Sequence, residues 1–287
     1  MTATVRDRTG LVAAAAALWG LDGLLRKPLA TALNPATVVL WEHVIVAVLV
    51  APVIPAAVRA FARCSWRDRV AIAVIGVAAS ATATALFTEA FRLAAGGGDF
   101  IGPLVMQKLQ PMFAVVLAAA LVGERMRRGF VLYALPALVG SWMLAFPQPT
   151  HVRVAEAAVA LFSVGAALLW ALGTVLGRLV SSALTPREIT VLRYLWGLLG
   201  AVAIVGYEGA PWTPGWGNMT GLLLLALIPG LISLVVYYVG LRGTAAMRAT
   251  FAELAFPATA AIVGVLFLNS RLSGWQWCGL GILLVAV

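Results

Sequence analysis

Ten stretches of this chain are apolar for about the length of a membrane-crossing helix. They lie near 9–29, 36–58, 69–93, 99–122, 129–147, 154–179, 186–206, 218–240, 246–268 and 273–287. A helix needs about 20 mostly apolar residues to cross the hydrocarbon core. In lipid every backbone polar group must find its partner within the structure, which a helix achieves by itself. The connections are too short to hold a separate soluble domain. Composition agrees: 62% of residues are hydrophobic and 11% charged, with a mean hydropathy of +1.00. A soluble domain carries about 25% charged residues. The chain is therefore expected to be an all-α integral membrane protein. Arg6 and Arg8 before an alanine-rich run look like the start of a signal peptide, but Trp19, Gly20 and Asp22 stand where a cleavage region would be. The first stretch is read as a retained span.

The net charge of +9 belongs to the loops. Basic residues are scattered between apolar spans and form no stripe, so nucleic acid is not an expected partner. Cys64 and Cys278 make no disulfide framework, and His43 and His151 stand alone. No metal or other cofactor is called for, and no GxxxxGK[ST] sequence is present to bind a nucleotide. Placing the N-terminus in the cytoplasm puts thirteen Lys and Arg residues in inside segments and five, including Arg26, Lys27 and Arg92, in outside loops. Lys108 and Arg193 fall within spans. This bias predicts both termini inside.

The chain is also written twice. Residues 17–35, ALWGLDGLLRKPLATALNP, align with 168–186, LLWALGTVLGRLVSSALTP, at an offset of 151. Trp19 falls on Trp170 and Pro35 on Pro186. Residues 109–126 align with 255–272 at an offset of 146, placing Pro111 on Pro257. The first half carries about four extra residues, assigned to 94–99. Five spans per half is an odd number, so the halves must enter the bilayer from opposite faces. The expected architecture is ten transmembrane helices as two inverted five-helix repeats, 1–147 and 154–287, around a central cavity. Such repeats are common among secondary transporters, with substrate held near the midplane between them. By the repeat, Val287 corresponds to Ser141, so the native protein is expected to continue past Val287.

These features resemble the EamA type of the drug/metabolite transporter superfamily, over nearly the whole chain. The resemblance rests on Trp19-Gly20, echoed by Trp170-Ala171, and on Asn34-Pro35 and Thr185-Pro186, which open the second and seventh spans. It rests also on Pro111 followed by Gly123-Glu124-Arg125. The second half departs from this pattern, with Asn269-Ser270 in place of the acidic turn. Bacterial exporters of aromatic and other amino acids are the most similar branch. The resemblance implies a multi-pass protein of the bacterial inner membrane that exports amino acids or related metabolites by alternating access.

Polar residues at depth mark candidate sites. Lys108 lies about 13 Å into the fourth span at 1.5 Å per residue. Gln107 shares a helical face with Pro103, Gln110 and Pro111, and the repeat sets Glu253 opposite Gln107. An amino acid needs a partner for its carboxylate and one for its ammonium, and Lys108 and Glu253 are the candidates. The alternative is a structural ion pair of Lys108 with Glu253 or Glu89. Trp19, Trp170, Tyr237, Tyr238 and Phe256 could stack on a substrate. Pro111 and Pro257 free carbonyls one turn earlier, lining the cavity or kinking the helices. Glu42 maps onto Arg193 and His43 onto Tyr194, so a Glu42–Arg193 gate pair competes with separate contacts to headgroups or carbonyls. Asp22, Glu89 and Glu253 are possible proton carriers. Gly173 and Gly177 form a GxxxG, a sign of close helix contact. Trp66, Trp212, Trp216, Trp275 and Trp277 fall at span ends. Efflux of cationic aromatic drugs, with Glu253 among aromatics, is the alternative function. A membrane enzyme is the distant one, since no metal constellation or activated nucleophile is apparent.

Overall fold

A computed structural model describes residues 8–95, 101–123, 130–145, 154–241, 252, 255–267 and 272–286, apart from some side chains within them. The described residues are helical, with no strand among them. In chain order the helices are α1 (Thr9–Gly20), α2 (Asp22–Ala32), α3 (Pro35–Leu49), α4 (Ile54–Arg63), α5 (Trp66–Val74), α6 (Ala83–Ala94), α7 (Ile101–Met106), α8 (Gln110–Val122), α9 (Phe130–Ala145), α10 (Val154–Val180), α11 (Pro186–Glu208), α12 (Met219–Leu225), α13 (Ser233–Leu241), α14 (Ala255–Phe267) and α15 (Gly274–Ala286).

Among the described residues four helical stretches are long and apolar enough to cross a membrane: Trp66–Ala94, Glu156–Gly177, Pro186–Glu208 and Trp216–Tyr237. A fifth is formed if α3 and Ala51–Arg63, bent by 62°, count as one span. Among the described residues the other predicted spans are covered by shorter or interrupted helices. The first breaks at Leu21, between α1 and α2. The fourth breaks at a 3-10 turn, Gln107–Leu109. The cause of the second break is local: Pro111 has no N–H to return to the Gln107 carbonyl, and the backbone one turn earlier tightens. Pro257 lies within α14, and the rings of both prolines fall outside the described side chains.

Two spans contain π-helical stretches, Ile75–Thr82 between α5 and α6 and Ala226–Ile232 between α12 and α13. The Thr82 hydroxyl donates to the Val77 carbonyl at 3.0 Å, and the Ser233 hydroxyl to the Ile228 carbonyl at 2.6 Å. Both reach back five residues, and the two sites stand 151 residues apart. π turns inside α-helices concentrate at functional sites. Returning from five-residue to four-residue bonding skips one carbonyl, which becomes available to another donor.

Helix starts follow ordinary capping. Asn34 accepts from the Ala36 amide at 2.8 Å, with Pro35 as the first helical residue. Thr185 and Glu188 form a reciprocal capping box before α11, again with proline first. Both arrangements match the known preference for Ser, Thr or Asn at the cap and proline just inside. Gly123 ends α8 with φ of 72°, the left-handed conformation favoured by glycine at this position.

Packing at the centre depends on small residues. α11 crosses the first π stretch closely, and a Cβ added at Gly76 would lie 2.2 Å from the Trp196 Cβ. One at Gly173 would lie 2.5 Å from the Ala79 Cβ, so Gly173 makes the close helix contact expected of its GxxxG. Gly177 does not: nothing lies within 4 Å of its added Cβ, and it faces a cavity instead. Trp66, Trp212, Trp216, Trp275 and Trp277 are all exposed, as residues of an interfacial belt are.

Candidate functional site

A central cavity of about 460 Å³ opens where the broken and π-helical segments meet. It draws on the α1–α2 break, α3, both π stretches, the Gln107–Leu109 turn, α10, α11, α13 and α14. One wall is aromatic. Trp19 and Tyr237 have ring centroids 4.8 Å apart, and Phe87 meets Trp170 edge-on at 5.2 Å. Phe256 completes this wall. The edge-on contact of Phe87 with Trp170 is a favoured arrangement of an aromatic pair.

The opposite chemistry centres on Arg26, which is 3% exposed. Its guanidinium grips Asp22 through two bonds of 2.6 and 2.8 Å. It reaches Glu42 through two more of 3.0 and 3.1 Å, and donates to the Thr88 hydroxyl at 2.7 Å. Its Cζ also lies 5.5 Å from the centre of the Phe87 ring. Two carboxyl groups share one guanidinium, so acidic groups outnumber basic ones in this cluster. The planar five-donor fork of arginine suits such a double bidentate grip; lysine could not reproduce it.

This arrangement corrects the sequence reading in two places. Arg26 is not in an outside loop: α2 continues past it to Ala32 and turns it inward toward Glu42. Glu42 does not pair with Arg193. Arg193 instead donates to the Ala79 carbonyl at 3.2 Å, in the π stretch where carbonyls are released. His43 is held as a fixed hydrogen-bond partner, 2.8 Å from the Val39 carbonyl and 2.9 Å from the Ser80 hydroxyl. A carbonyl only accepts, so Nδ1 carries a proton, and in the neutral ring Nε2 accepts from the Ser80 hydroxyl. Tyr194, its repeat counterpart, lies 5.4 Å away ring to ring.

Trp19, Gln107, Trp170, Tyr237 and Phe256, the candidates for substrate contact, line the cavity, and so do Asp22, a candidate proton carrier, and Glu42 and Arg193, the candidate gate residues. Glu89 does not; it pairs with Arg92 one turn along α6. Glu253 lies outside the described residues, as do the side chains of Lys108, Tyr238, Pro111 and Pro257. Sequence reasoning missed Arg26 and Thr88, and also the Gln110–Thr174 contact of 3.3 Å at the cavity wall. A signal for Arg26 existed: Asp22 and Arg26 stand four residues apart in an apolar run, the spacing of a helical ion pair. At the 151-residue offset these positions hold Gly173 and Gly177, so one half supplies charge where the other supplies space.

The EamA-like transporter family matches residues 9–146 and 157–287. A protein named riboflavin transporter ImpX, from Fusobacterium nucleatum, is 27% identical over 289 residues, spanning 96% of this chain and 95% of that one. The uncharacterized transporter YwfM of Bacillus subtilis is 24% identical over 190 residues, 66% of this chain and 64% of its own length. A protein known by its crystal structure has a TM-score of 0.65 at 19% identity, covering 97% of this chain and 94% of that one, a likeness of fold alone.

Proposed function

The chain belongs to the EamA-like transporter family, and we propose that it moves a flat aromatic metabolite through the central cavity by alternating access. As a member it is a multi-pass membrane transporter rather than an enzyme. The aromatic wall of the cavity carries the substrate reading: Trp19, Phe87, Trp170, Tyr237 and Phe256 offer stacking surface beside polar Gln107, Gln110 and Thr174. A volume of about 460 Å³ falls in the ~300–1,000 Å³ range of sites for drug-sized ligands, more than a single amino acid requires. Riboflavin is the first candidate, since a relative aligned over nearly its full length bears that name. Aromatic amino acids are the second, with Lys108 taking the carboxylate and Glu253 the ammonium. The two carboxyl groups beside Arg26 support cationic aromatic drugs as a third. Asp22, in that cluster, is the candidate for coupling transport to protons.

The architecture proposed is ten helices in two inverted repeats, 1–147 and 154–287. Paired π stretches 151 residues apart support it, as do the two proline-first caps. Contacts are also reciprocal: α1 packs on α13 and α14, while α10 packs on α6 and α8. Both termini are placed in the cytoplasm of a bacterial cell with the protein in the inner membrane. Under that orientation Cys64 lies inside, and a cysteine introduced at Pro214 lies outside. An impermeant maleimide added to intact cells is expected to label position 214 only; labelling of Cys64 alone would reverse the orientation.

Counterflow in liposomes tests the substrate. Preloaded riboflavin is expected to drive accumulation of labelled riboflavin at least ~10-fold above empty liposomes. Accumulation of phenylalanine or tyrosine without riboflavin would make the amino-acid reading correct. In that case Lys108→Met should abolish counterflow while melting normally. Under the flavin reading Lys108→Met should retain most of it.

A further inference from the structure

We propose that the basic corner formed by α4 and the start of α5 is a binding surface for anionic phospholipid headgroups. α3 advances about 22 Å at 1.5 Å per residue, short of the ~30 Å hydrocarbon core. The chain then bends by 62°. Inclined that far, ten-residue α4 gains only about 7 Å more depth and emerges obliquely among the headgroups.

Its two faces suit that position. Ala57 is fully buried, and Ile54 and Phe61 join it against the core formed with α11. The outer face carries Val58, 47% exposed, with Arg59 and Arg63 one turn apart. At the corner Trp66 is 70% exposed and Arg67 sits over its ring, 5.9 Å from the centroid. Apolar and aromatic groups beside arginines are what an interfacial helix presents to a bilayer.

Charge selects the occupant. Residues 51–70 contain four arginines and one acid, Asp68. Asp68 is engaged by the Ser65 hydroxyl at 2.6 Å. The acid that α11 brings to this end of α4, Glu188, is taken by the Thr185 capping box. Arg69 is tied back onto α4, donating to the Ala62 carbonyl and lying over Phe61, which bridges α4 and α5. Arg59, Arg63 and Arg67 remain as like charges on the exposed side. Like charges four residues apart on a helix repel each other unless an anion lies between them. A surface of phosphate diesters supplies that anion. An arginine near an anionic bilayer strengthens attachment roughly fivefold.

The test uses the full-length protein in a neutral detergent and reads the melting temperature. Phosphatidylglycerol is expected to raise it, while phosphatidylcholine and inorganic phosphate leave it unchanged. The triple variant R59Q/R63Q/R67Q should fold, melt like the parent without added lipid, and need at least ~10-fold more phosphatidylglycerol for the same shift. R59K/R63K/R67K should keep most of the response, which also serves as the test should the glutamine variant fail to fold. R92Q, an exposed arginine at the other end of the Trp66–Ala94 span, should respond like the parent. An undiminished response in the glutamine variant overturns the proposal. So does an equal response to phosphatidylcholine or inorganic phosphate, or a lysine variant that folds and no longer responds to phosphatidylglycerol.

Discussion

Replacing Arg26 by methionine is expected to destabilise the protein by roughly 3–5 kcal/mol, the range for stranding a buried charge by removing its partner. Here two carboxylates are stranded, Asp22 and Glu42, and the Thr88 hydroxyl loses the donor it accepts from. Methionine keeps much of the stem volume and removes the guanidinium, including its contact with the Phe87 ring, so the loss is electrostatic rather than steric. Thermal melting measures the effect. The companion variant Arg26→Met, Asp22→Asn, Glu42→Gln removes all three charges and should recover most of the stability. Its transport then separates two roles. If the cluster only holds α2, α3 and α6 together, the neutral variant should transport. If its carboxyl groups serve coupling or substrate, the variant should melt normally and fail to transport. A single Arg26→Met change costing under about 0.5 kcal/mol, the range of ordinary surface substitutions, would show the cluster to be unimportant.

Gly76→Ala is expected to produce the second large effect from a single methyl group. Its Cβ would lie 2.2 Å from the Trp196 Cβ, 2.8 Å from the Gly197 amide nitrogen and 2.9 Å from the Arg193 carbonyl oxygen. These atoms belong to or adjoin the α11 backbone and cannot swing away as a side-chain tip would. The helices must separate, at a cost of about 1–3 kcal/mol or more. Separation also pulls Arg193 from the Ala79 carbonyl and disturbs His43 against Ser80, so transport should fall with stability. Gly281→Ala is the control, because nothing lies within 4 Å of its added Cβ. It should be neutral or slightly stabilising, since alanine favours helix by about 1 kcal/mol over glycine. Equal melting temperatures for the two variants would show that α11 and the π stretch do not meet as closely as described.

The amino-acid sequence by itself determined the solvent of this protein and the kind of element it uses. Apolar stretches of spanning length with few charges leave helices in lipid, and Trp19-Gly20, the proline-first caps and the 151-residue offset point to the transporter family. It also offered Trp19, Trp170, Tyr237 and Phe256, four of the aromatics that line the cavity, because they lie within spans rather than at span ends. What it could not determine was pairing. The offset laid Glu42 on Arg193, yet repeat correspondence records position along the chain and not distance in space. Arg26, four residues from Asp22, reaches Glu42 only because α2 and α3 fold back against α6. The first π stretch carries no proline or other mark in IGVAASAT; α11 packs tightly against it through Gly76, and Arg193 takes up the Ala79 carbonyl there. Gly173 and Gly177 share one motif and part ways, one against Ala79 and one toward the cavity. Periodicity and composition act through local backbone geometry and burial, which a sequence records directly. Ion pairing and helix crossing depend on which surfaces meet within about 4 Å, and tertiary packing alone decides that.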